Sequence, residues 1–150
     1  MELNQVTLPA LDIAASVAFY RRMGFEAIVD EPHYARFKSI VGDATFSIHV
    51  IDALTEPSKT VVYFECPDLD KQVADLRGRG LQFIHEPQDQ PWLWREARLA
   101  DPSGNILCLY QAGKNRLHPP WRVQALQPIG EAVDRNAQGL SAEFIRIADR

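Results

Sequence analysis

Shifted by 56 positions, the chain matches itself without a gap, and this internal repeat constrains the fold more than any other feature. Residues 5–28 read QVTLPALDIAASVAFYRRMGFEAI, and residues 61–84 read VVYFECPDLDKQVADLRGRGLQFI. Val6 meets Val62, Asp12 meets Asp68, Val17 and Ala18 meet Val73 and Ala74, Arg21 meets Arg77, and Gly24 meets Gly80. Leu8 with Phe64, Ile13 with Leu69, Tyr20 with Leu76 and Phe25 with Leu81 add apolar pairs. Chance likeness of two short α/β units explains the apolar pairs alone. Matching Asp and Gly punctuation at both ends points instead to a duplicated unit.

Each copy has one physical reading. Val6, Leu8 and Ala10 alternate with Gln5, Thr7 and Pro9, the period of a strand with two different faces. Asp12 suits a helix N-cap, and Ile13, Val17, Tyr20 and Gly24 follow on one helical face. Gly24 suits the left-handed residue that ends the helix. Asp68, Leu69, Val73, Leu76 and Gly80 repeat the spacing. Strand-like runs follow at about 35–40 and 44–51, joined by Val41-Gly42-Asp43, and at about 94–99 and 106–111, joined by Asp101-Pro102-Ser103-Gly104-Asn105. The chain therefore reads as α+β, βαβββ twice: modules at about 3–51 and 60–111, joined by Asp52–Lys59, within a domain 1–113. Residues 114–150 form an extension. Pro119-Pro120 makes its start an extended strap that Trp121 anchors, and Ser141-Ala142-Glu143 starts a short helix carrying Phe144, Ile145 and Ile147.

Composition enters as a set of exclusions. A formal charge of −4 argues against a nucleic-acid partner, which needs a basic face. No apolar run approaches the ~20 residues of a membrane-spanning helix. The start, Met1-Glu2-Leu3-Asn4-Gln5, lacks the basic and apolar regions of a secretory signal, and two cysteines outside any CxxC pair are too few for a disulfide framework. The expected compartment is the reducing cytoplasm.

The strand, the capping Asp12, the stretch SVAFY at 16–20 and the pair Gly24-Phe25 resemble the opening of the glyoxalase/bleomycin-resistance/extradiol-dioxygenase superfamily, also called vicinal oxygen chelate. Residues 101–109, DPSGNILCL, are similar to that family's DPxGNxxEL hairpin. The resemblance covers about Leu3 to Gln111. It implies two βαβββ modules whose sheets curl around a shared cavity, commonly within a homodimer. Function is left open, because the family holds metal lyases, dioxygenases, epimerases and metal-free antibiotic-binding proteins.

The resemblance also says where metal ligands would stand: typically His, Glu, His and Glu on the first, fourth, fifth and eighth strands. Those places fall on Gln5, Ser47, Val61 and Cys108, with His49 on the same face as Ser47. None carries the usual residue. Gln5, His49 and Cys108 together would make an unusual set for one divalent ion, Zn or Fe, and Val61 offers no donor. Otherwise Cys108 is a small strand hydrophobe and His49 a cavity-wall residue. His33, His85 and His118 are expected in loops.

Without a metal, strand parity puts Gln5, Thr7, Ser47, His49, Tyr63, Glu65, Cys108 and Tyr110 on the concave side. The loop 88–96 brings Trp92, Trp94, Arg95 and Glu96 to its mouth. Two tryptophans suit a flat or aromatic ligand, or else close the core or a dimer seam. Arg95 or Arg98 suits a ligand carboxylate. Glu65 is the carboxylate expected on the inner face, a base with raised proton affinity if buried among apolar walls. The expected protein is thus a small-molecule binder with a degenerate metal site and no cofactor. The alternative is a metal-dependent lyase or ring-cleaving dioxygenase using Gln5, His49 and Cys108.

Overall fold

The computed structural model describes residues 3–54 and 60–122, and each copy of the repeat folds as strand, helix and three strands. The first module contains β1 (Gln5–Ala10), α1 (Ile13–Met23), β2 (Glu26–Glu31), β3 (Tyr34–Lys38) and β4 (Thr45–Val50). The second contains β5 (Val61–Glu65), α2 (Leu69–Gly78), β6 (His85–Asp89), β7 (Arg95–Ala100) and β8 (Ile106–Gln111), and a 3-10 turn covers Gly113–Arg116. The short helix expected at Ser141–Ile147 lies outside the described residues.

Local chemistry sets both helices. The Asp12 carboxylate accepts from the Ala15 N–H at 2.9 Å, and Asp68 accepts from the Lys71 N–H at 3.0 Å, so each fills an otherwise open first-turn donor. Gly24 ends α1 at φ 101°, and Gly80 follows α2 at φ 82°, values that L side chains rarely adopt.

Each module makes its own four-stranded sheet, in the orders β1-β4-β3-β2 and β5-β8-β7-β6. The β1–β4 and β5–β8 pairs are parallel and the others antiparallel. This order leaves β1 and β5 paired on one side only. Leu8, Phe37, Phe46 and Ile48 from the first sheet share one buried core with Ile13, Val17 and Tyr20 of α1, Leu69, Val73 and Leu76 of α2, and Leu99, Leu107 and Leu109 of the second sheet. Phe64 of β5 packs its ring on Phe25 and Phe46 of the first module, at 5.0 and 5.7 Å between centroids.

The hairpin 101–105 fastens the modules together. Asp101, buried, accepts from the Ser103 and Asn105 N–H groups, from Asn105 Nδ2, and from the Tyr20 hydroxyl of α1 at 2.8 Å. Asn105 Nδ2 also donates to the Pro9 carbonyl, and Ser103 Oγ accepts from the Leu11 N–H. The Asp, Ser and Asn of DPSGN therefore serve the joint between the modules.

His85 opens β6 instead of standing in a loop. This edge strand, HEPQD, carries no apolar alternation, and its register shifts between His85 and Gln88 around Pro87, which has no N–H to pair.

Candidate functional site

Each sheet turns one face to the shared core and leaves the other open. On the open face of the second sheet the register sets three rows: Ala100, Ile106 and Val61; Arg98, Cys108 and Tyr63; Glu96, Tyr110 and Glu65. Val62 and Phe64 alternate with these onto the core side. Trp94 stands at the end of β7 and stacks on Tyr110, with ring centroids 4.6 Å apart and planes at 19°. Tyr63 meets both rings edge-on, at 6.2 Å from Trp94 and 5.8 Å from Tyr110, and is itself 46% exposed. Cys108 lies buried beneath, and burial first, then the neighbouring charge of Glu96, pushes its thiol up to about 12. Burial likewise raises Tyr63 and Tyr110.

The turn before β7 holds this platform. Leu93 takes φ 64°, a left-handed value uncommon outside glycine. The turn is closed by Leu93 N–H to the Gln90 carbonyl and Gln90 N–H to the Trp94 carbonyl. Asn115 donates to the Leu93 carbonyl from the 3-10 turn.

Glu65 is half-exposed and ion-paired with Arg116 at 3.0 Å, not buried among apolar walls. The buried carboxylate of this face is Glu96, 3% exposed, which accepts from Trp92 Nε1 at 2.6 Å and from Arg98 at 3.4 Å. The sequence reading set it in the loop 88–96 at the cavity mouth; it stands on β7 opposite Tyr110. Arg95 points to the helix side and spends its guanidinium on Asp70 and Asp89.

The open face of the first sheet is polar. Its rows are Lys38, Thr45 and Gln5; Arg36, Ser47 and Thr7; Tyr34, His49 and Pro9. Thr7 Oγ1 and Ser47 Oγ share a hydrogen bond at 2.8 Å, and Gln5 Nε2 reaches the same Ser47 oxygen at 3.5 Å. Arg36 Nε donates to the Tyr34 hydroxyl at 2.9 Å. Desolvation raises the Tyr34 phenol, but Ser47 and Arg36 outweigh it and leave it below its usual range. Arg36 and Tyr34 escaped the sequence reading because strand β3 has no counterpart in the gapless repeat.

A groove of about 1680 Å³ runs along β1 and β5, lined from both modules. Of the residues singled out from sequence it takes in Gln5, Tyr63, Glu65, Trp94 and Arg95; Thr7, Ser47, His49, Trp92, Cys108 and Tyr110 lie outside its lining. The two open faces share no hydrogen bond, ion pair or ring contact among the described residues. Gln5 and His49 therefore sit on one face and Cys108 on the other. Among the described residues, no three His, Cys, Asp or Glu side chains group as metal ligands.

The sequence profile of the Glyoxalase/Bleomycin resistance protein/Dioxygenase superfamily matches residues 2–109. The chain belongs to this superfamily. YraH of Bacillus subtilis (strain 168) is 26% identical over 128 residues, covering 74% of this chain and 98% of YraH. The bleomycin resistance determinant encoded on transposon Tn5 superposes with a TM-score of 0.65 at 24% identity, over 75% of this chain and 99% of its own. A bleomycin-binding protein solved with bleomycin gives 0.63 at 25% identity, over 74% and 98%. Gln5 lies beside Ser47 on one open face, and Val61 packs with Cys108 in an apolar cluster on the other. No helix among the described residues is long and apolar enough to cross a membrane.

Proposed function

We propose that the protein binds a flat, aromatic small molecule without a metal, on the Tyr63–Trp94–Tyr110 platform, and that a second copy of the chain closes the site. The platform carries the reading: Tyr63 and Trp94 line the groove, with Tyr110 stacked on Trp94 behind them, and a planar ligand there gains stacking beyond area burial. The likeness to a bleomycin-binding protein supports a small-molecule ligand. Val61 has no donor atom, and Gln5, Ser47 and Cys108 bring neither carboxylate nor imidazole, so these positions make a poor donor set for a divalent ion.

The second copy is supported by what one chain leaves uncovered. β1 and β5 present unpaired edges, and Leu3, Ile40, Val41 and Leu93 stand exposed along the groove beside them. The open faces differ in chemistry: Arg36 and Lys38 stand among hydroxyls on one, and the Tyr63, Trp94 and Tyr110 rings stand on the other. A twofold pairing sets the first face of each copy against the second face of its partner.

Titration with the fluorescent neutral amine N-phenyl-1-naphthylamine tests the platform. Trp94→Ala is expected to weaken binding at least about fivefold through lost stacking and area, and prior dialysis against a chelator is expected to change nothing. Unchanged affinity in both Trp94→Ala and Tyr63→Ala overturns the platform. Loss on chelation, restored by Zn or Fe, overturns the metal-free reading.

A further inference from the structure

The duplication supplies a comparison within the molecule. Arg36 stands opposite Ser47, which stands opposite Thr7; Arg98 stands opposite Cys108, which stands opposite Tyr63. The two arginines thus occupy the same place on the two open faces, and each bonds the side chain two residues earlier on its strand. That neighbour differs. Arg98 meets Glu96, a buried carboxylate fixed by Trp92, so its charge is neutralised in place. Arg36 meets the neutral hydroxyl of Tyr34, with the guanidinium carbon 5.6 Å from the ring centre.

Arg21, Arg77, Arg95, Arg98 and Arg116 each pair with a carboxylate. Arg36 does not: its Nε is spent on Tyr34, and its two terminal nitrogens have no hydrogen-bond partner among the described residues. Around it lie the Ser47 and Thr7 hydroxyls, Gln5, Lys38 and His49, and none of the nine positions on β1, β3 and β4 of this face is acidic. Glu26 and Glu31 stand one strand further out, and Val29 is the β2 residue facing Arg36. A guanidinium fork held by its Nε, free at both terminal nitrogens and ringed by hydroxyls, fits an oxyanion.

We infer that the ligand carries an oxyanion, a carboxylate or sulfonate, and that Arg36 receives it while the aromatic part rests on the partner copy's platform. This rests on the aromatic, two-copy reading above and narrows the ligand to flat aromatic acids.

Two probes with one ring system separate the claims: N-phenyl-1-naphthylamine, neutral, and 1-anilinonaphthalene-8-sulfonate, its sulfonated counterpart. The full-length protein is expected to bind the sulfonate about tenfold more tightly, the worth of a charge-assisted bidentate contact. Arg36→Met is expected to erase that difference and leave the neutral probe's affinity intact, which also reports a preserved fold. Arg36→Lys keeps part of the preference, and Arg22→Met, an equal charge change on exposed α1, keeps all of it. Equal binding of the two probes, or a preference that survives Arg36→Met, overturns the inference and leaves the aromatic site standing. Failure of both probes to bind removes both readings.

Discussion

At the scale of single residues, the DPSGN hairpin shows how a motif can be legible as a family mark while its physical task stays hidden. Asp101, Ser103 and Asn105 could be read as turn residues because Asp, Gly and Asn favour tight turns. Nothing in the sequence indicated that Asp101 would take a hydrogen bond from Tyr20, eighty-one residues away, and so clamp one module to the other. Tyr20→Phe is expected to cost about 1–3 kcal/mol, because it strips one donor from a buried carboxylate. Urea unfolding measures it, and a neutral effect would contradict the clamp. The cysteines give a pH prediction. Burial first of all raises Cys66 to about 11 and Cys108 to about 12, above the ordinary thiol value of 9.0. The folded state therefore holds these protons more tightly than the unfolded state. The stability they contribute is complete below pH 9 and is lost as pH rises through 11 to 12. Urea midpoints are expected to fall across that window, and less steeply in a Cys66→Ala/Cys108→Ala variant. An equal slope in that variant would contradict the assignment.

At the scale of elements, the helices were the legible part, because their signals are local. A capping Asp, an apolar face and a terminal Gly recur in both copies, and both caps are made as that pattern requires. Asp12→Ala and Asp68→Ala are each expected to destabilise by about 1 kcal/mol in thermal or urea unfolding. The edge strand β6 was not legible: solvent takes most of its side chains, so burial imposes no alternation, and Pro87 argues against a strand unless a register shift excuses it. Alternation is clearer on β5, where Val62 and Phe64 pack, partly buried, against the core and Tyr63 and Glu65 stand exposed. It could not foresee that Arg116, from the turn after β8, would pair with Glu65, nor that Trp92 and Arg98 would hold Glu96 in the interior. Arg116 and Glu65 come from separate elements that only the fold brings together, and Trp92 reaches Glu96 through the turn at Leu93.

At the scale of the whole molecule, the repeat has kept one frame and diverged in its chemistry. Both sheets share register and core, yet one open face is hydroxylic and cationic, and the other is aromatic with its two carboxylates each paired to an arginine. Among the described residues of one chain, these faces share no hydrogen bond, ion pair or ring contact. The central claim is that they meet across two copies, with a ligand between. Dimers purified with one chain Arg36→Met and the other Trp94→Ala test it directly, with 1-anilinonaphthalene-8-sulfonate as probe. In a twofold pairing one of the two sites then carries both defects, and the other carries neither. Each single-variant homodimer is expected to bind weakly, and the mixed dimer to regain one site of unaltered affinity. A mixed dimer without a restored site, or a solution mass of one chain, would contradict it.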